Sequence, residues 1–83
     1  MNETVTMYHV AYTAFNGSRN ENDYTTSKDA REKLDGIRSQ YEIFGYRLTN
    51  RDKNDGKLRE VWKHPKRADM VIENYQHEVT FIF

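Results

Sequence analysis

The sequence has no cysteine, a single proline and only four glycines in 83 residues. Without cysteine there is neither a disulfide staple nor a thiolate metal site, so packing and hydrogen bonds must hold the fold. No apolar run approaches the ~20 residues that a membrane span requires. Met1 to Val10 lacks the basic and apolar regions of a secretion signal, so the Asn-x-Ser/Thr matches at Asn2 and Asn16 read as chance. A cytoplasmic protein without membrane association is expected. Excess charge of one sign is also missing, since 13 basic and 13 acidic residues cancel.

Aliphatic residues are scarce as well. Leu, Ile, Val and Phe together supply 16 of the 83 residues, close to the limit at which chains stay disordered. Two properties favour folding. Zero net charge removes the repulsion that keeps disordered chains open, and 13% of the residues are aromatic, each with a large buriable area. One α+β domain spanning residues 1–83 is expected, with a net stability of about 4–12 kcal/mol on the per-residue scale.

Thr4 to Phe15, TVTMYHVAYTAF, is rich in β-branched and aromatic residues and reads as a long central strand. Asn16-Gly17 ends it with a turn signal. Residues 16–26 read as a polar loop, although Asn16-Gly17 is also able to seed a hairpin. Thr26 or Ser27 is the expected N-cap of a helix, because a hydroxyl oxygen accepts from the free N–H groups of a first turn. Ala30, Leu34, Ile37, Tyr41 and Phe44 then recur at helical spacing on one face, and Gly45 follows as a stop residue. Gly36 is the weak point of that helix.

Tyr46 to Arg51 reads as a polar edge strand, and Asp55-Gly56 as the turn of a hairpin returning through Lys57–Lys63. Trp62 and Leu58 alternate on one face of the return strand and are expected in the core. Residues 66–76 fit two patterns. Ala68, Val71, Ile72 and Tyr75 match a short helix, the preferred reading, whereas Val71-Ile72 favours a strand. Residues 78–83 read as a closing strand whose apolar side chains enter the core, so that removing Val79 to Phe83 is expected to unfold the domain. The order is β-α-β-β-(short α or β)-β. With the second helix it resembles a ferredoxin-like sandwich; without it, one helix lies on a meander.

The balanced total hides segregated charge. Arg47, Arg51, Lys53, Lys57, Arg59, Lys63, Lys66 and Arg67 stand against only Asp52, Asp55 and Glu60, which gives this hairpin region an excess of +5. Strict alternation places Lys57, Arg59 and Lys63 on one face of their strand and Arg47 and Arg51 on one face of theirs. With His64, these cations are the expected binding surface, joined by Arg19 and Tyr24 from the 16–26 loop. The competing reading is a solvated charged edge that only discourages aggregation.

Motifs for phosphate cradling, zinc proteolysis or serine hydrolysis are missing. His9 and His77 approach one another only if the last strand pairs with the first. In that case, with Glu78 beside His77, a metal site or acid–base pair becomes conceivable. Isolated polar side chains are the simpler reading, so no cofactor, metal or catalytic residue is expected. The functional expectation is a small non-enzymatic interaction module: an adaptor, inhibitor or accessory protein of phage or mobile-element type. It would bind a protein partner stoichiometrically, as a monomer or homodimer. The first alternative is a nucleic-acid binder making sequence-independent phosphate contacts. The second is a small oligomeric enzyme with a histidine-containing site between subunits.

Overall fold

A computed structural model of the chain describes residues 1–14 and 16–82. In chain order the elements are β1 (Asn2–Thr13), β2 (Arg19–Tyr24), α1 (Ser27–Ile43), β3 (Arg47–Asn54), β4 (Lys57–Lys63) and β5 (Met70–Ile82). The class is α+β. Five strands in the order β2-β1-β5-β4-β3 form one sheet in which every neighbouring pair is antiparallel. Among the described residues no helix is long and apolar enough to cross a membrane.

Helix α1 begins and ends as its sequence dictates. Thr26 is in an extended conformation and its side-chain oxygen accepts from the Asp29 N–H at 3.2 Å. At the other end Gly45 takes φ +94°, Gly45 N–H donates to the Glu42 carbonyl, and Tyr46 N–H donates to the Tyr41 carbonyl. This pair of bonds satisfies carbonyls that a helix end otherwise leaves free. Ala30, Leu34, Ile37 and Tyr41 face the sheet and are buried, while Phe44 at the stripe's end is half exposed.

Register assigns every strand residue to a face, because directly opposed residues project to the same side. The helix side carries Val10, Ile72, Met70 and Trp62, which join Tyr46 and the helix stripe in the core. The opposite side carries His9, Asp23, Glu73, Tyr75, His77, Val71, Val61 and Arg59. No described element of the chain covers that outer face.

Two sequence expectations change. Residues 70–82 form a strand, so the helix favoured over 66–76 gives way to its β alternative, and with it the ferredoxin-like sandwich that needs a second helix. A 13-residue strand between β1 and β4 pairs with β4 over Met70–Asn74 and with β1 over Ile72–Ile82, which helical spacing in a short window does not outweigh. Residues 19–24, read as loop, pair with β1 as β2 through the hairpin that Asn16-Gly17 seeds. There the Asn16 side-chain oxygen accepts from both the N–H and the hydroxyl of Ser18. Phe15 and Phe83, assigned to strand faces from sequence, lie outside the described residues.

The molecule is long, at 53 × 23 × 21 Å. β2 pairs with β1 only from Tyr8 onward, and β4 pairs with β5 only as far as Asn74. Asn2–Met7 and His77–Ile82 therefore continue alone as a two-stranded arm. None of the arm's residues belongs to the core cluster.

Candidate functional site

The outer sheet face holds a cluster of polar groups at the root of the arm. His9 of β1 and Asp23 of β2 are directly opposed, and His9 Nδ1 lies 2.8 Å from Asp23 Oδ1. His77 of β5 stands diagonally across from His9, and its Nε2 lies 2.9 Å from the same oxygen. The second nitrogen of His9, Nε2, lies 3.2 Å from Glu21 Oε1. Glu21 also receives Arg19 Nε at 3.1 Å, and Arg19 donates onward to Glu73 at 3.2 Å. The Tyr75 ring packs beside both imidazoles, at 4.9 Å from His9 and 5.9 Å from His77, and Lys57 Nζ sits 5.4 Å from the centre of that ring. The His9 side chain is 12% exposed, whereas those of His77 and Asp23 are 36% and 40% exposed.

These contacts set the carboxylates' acidity. Hydrogen bonds from His77 and then His9 hold the Asp23 carboxyl below its ordinary range. Arg19, followed by His9, does the same for Glu21. In both cases a bond to the charged form favours that form.

The conditional expectation that His9 and His77 meet if the last strand pairs with the first is met. The carboxylate between them is Asp23, not Glu78. Glu78 opposes Thr6 and so projects to the other face. Asp23 was hidden from sequence reasoning because residues 16–26 carry no apolar alternation, and its position depends on a strand that only long-range pairing reveals.

The expected basic surface is divided. Lys57, Arg59 and Lys63 do share the outer face, with Val61 among them, and Arg47 opposes Lys63 there. Arg47 and Arg51 do not share a face. A bulge between Leu48 and Asn50 adds one residue, so Leu48 opposes Trp62 while Arg51 opposes Glu60, both on the helix side. Arg51 Nε donates to Glu60 Oε2 at 2.8 Å. Lys53 opposes Leu58 and lies on the helix side as well. His64 is half-buried, its ring centre 5.2 Å from that of Tyr46, and its Nδ1 accepts from the Lys66 N–H. Lys66 and Arg67 are exposed in the link between β4 and β5. Arg19 reaches the outer face, whereas Tyr24 opposes Tyr8 and packs against the core, so the two do not form one contact surface.

Glu60 is the residue that alternation placed correctly but whose significance it missed. It is fully buried. Its two oxygens accept from Arg38 Nε and Nη2, from Arg51 Nε and from Trp62 Nε1 at 2.8–3.0 Å. The clefts beside α1 are lined from this helix side, by residues such as Arg38, Tyr46 and Trp62 in one and Leu34, Leu58 and Asn74 in the other. Neither is lined by His9 or His77. Comparison of the chain with protein-family models, curated proteins and solved structures returned no match.

Proposed function

We propose that the chain is a non-enzymatic protein-binding module that docks an acidic protein surface onto the outer face of β3 and β4. The observation that carries this reading is a set of cations that hold no ion pair. Among the described residues Arg47, Arg59 and Lys63 carry no ion pair, and they surround the opposed, half-buried pair Val61 and Val71. A small apolar centre with a charged rim, on a face that no described element covers, has the anatomy of a transient protein interface. Complementary charge would speed encounter and fix orientation.

The alternative partner, nucleic acid, fits this face less well. Glu73 and Asp52 flank Arg59 in the ladder, and the far side of the same face carries Glu21 and Asp23. A phosphate backbone running across the face would meet repulsion there, whereas an acidic protein patch confined to the β3–β4 end would not.

The test is affinity capture from the native host with the wild type and with Arg59→Glu/Lys63→Glu, each with and without nuclease. The reading expects one protein retained in fixed stoichiometry, insensitive to nuclease and lost on charge reversal, while circular dichroism of the variant is unchanged. Retention abolished by nuclease, or equal retention by the charge-reversed protein, would overturn it.

A further inference from the structure

We propose that His9, Asp23 and His77 form an open site for a divalent transition-metal ion of the Zn²⁺ class, with two imidazoles and one carboxylate as its ligands. Each residue offers one donor atom, and these atoms lie within 4.8 Å of one another. A tetrahedral ion at about 2.0–2.1 Å from each donor sets donor–donor separations of roughly 3.3 Å. The present 2.8 and 2.9 Å contacts to Asp23 Oδ1 thus need a small retreat of the carboxylate, and the two ring nitrogens, within 4.8 Å of one another, need to settle at a similar separation. The ion would replace two histidine–carboxylate hydrogen bonds with three coordinate bonds.

The surroundings carry the inference further than the three donors alone. A ligating imidazole characteristically donates its other ring N–H to a carboxylate, which fixes its tautomer and raises its basicity. His9 is already placed this way. Its Nδ1 faces Asp23, while its Nε2 lies 3.2 Å from Glu21 Oε1. Glu21 is in turn held by Arg19, and Arg19 by Glu73. Three carboxylates (Glu21, Asp23, Glu73) outnumber the nearby cations, Arg19 and the Lys57 ammonium over Tyr75, and Asp23 and Glu21 touch the imidazoles directly, which favours a cation.

The scaffold is also suited to the task. The three ligands sit on three adjacent paired strands, so the ladder positions them rather than a loop. Tyr75 packs against both rings and limits their rotation. Partial exposure of Asp23 and His77 leaves the remaining coordination positions to water, as in open rather than structural sites. Nitrogen and oxygen donors together suit Zn²⁺ and its neighbours better than Mg²⁺ or Ca²⁺, which favour oxygen alone.

The experiment uses the full chain freed of metal with a chelator and titrated with Zn²⁺ alone. Calorimetry is expected to give one ion per chain, and NMR to shift the ring resonances of His9 and His77 together. Asp23→Asn and His77→Ala should each weaken binding by about tenfold or more, and Glu21→Gln should weaken it about 10–100-fold by freeing the His9 N–H. Asp23→Asn is isosteric and Glu21 is exposed, so both variants are expected to fold, as circular dichroism will report. Zn²⁺ that leaves the two ring resonances unmoved at millimolar concentration would overturn the proposal. So would binding of equal strength in the wild type and the variants.

Discussion

Arg38 grips both oxygens of Glu60, through Nε at 3.0 Å and Nη2 at 2.8 Å, and so ties helix α1 to the middle of β4. The carboxylate is completely removed from solvent, yet each of its oxygens is satisfied. Removing Arg38 leaves this buried charge with only the single bonds from Arg51 and Trp62, and the loss of one partner of a buried pair costs up to about 3–5 kcal/mol. Arg38→Ala should therefore bring the domain close to unfolding, whereas Arg51→Ala, at an arginine 54% exposed, should cost roughly 1 kcal/mol or less. Trp62 donates to the same carboxylate and is the sole tryptophan, so its fluorescence during urea denaturation reports both variants directly.

Glu60 also sets the response to acid. Burial by itself pushes its carboxyl upward, but the hydrogen bonds from Arg38, Trp62 and Arg51 outweigh that and leave it below its ordinary 4.5. A carboxyl depressed on folding contributes stability that is complete above its unfolded value and is lost as pH falls through its folded one. Asp23 and Glu21 act with the same sign. Stability should thus decline below about pH 5, and the decline should be shallower in Glu60→Gln, which has no proton to gain. Identical acid limbs for wild type and variant in pH-dependent urea melts would contradict this.

Truncation after Glu78 should be tolerated, in contrast to what the apolar closing strand implies from sequence. Ile82 is 82% exposed and Phe81 is 46% exposed, and neither belongs to the core cluster. The loss should be on the order of 1 kcal/mol, or roughly 4–8 °C in Tm. A differential scanning calorimetry trace without a cooperative transition would refute it.

Gly36→Ala should stabilise the protein by about 0.5–1 kcal/mol, because glycine in a helix interior loses more backbone entropy than alanine. The position is exposed, and an added Cβ meets nothing within 4 Å. An unchanged or lowered urea midpoint would show that the flaw has a structural use.

Local chemistry made much of this fold legible. Thr26, the Ala30–Tyr41 stripe and Gly45 define α1 through side chains that act within a few residues, and Asp55-Gly56 fixes its turn by positive φ at both positions. The inward placement of Trp62 followed from alternation alone. What stayed hidden depends on partners distant in sequence. β2 has no hydrophobic signature and exists because β1 offers it an edge. The His9–Asp23–His77 cluster joins three strands, and its central oxygen comes from that unreadable segment. The outward grouping of Arg47 with Arg51 failed for another reason. Period-two alternation counts residues and has no means of seeing one that the ladder skips.

That skipped residue gives the hairpin slack. Thr49 stands outside the regular pairing and is pinned by one bond from its hydroxyl to the Val61 carbonyl, at 3.1 Å. Excising it would let Leu48 and Asn50 follow one another opposite Trp62 and Val61 without changing which way either points. A shorter chain at this point would keep Arg51 inward on its buried counter-ion and Arg47 outward. The strand should thus tolerate the loss of one residue at the very place where alternation misassigns its faces.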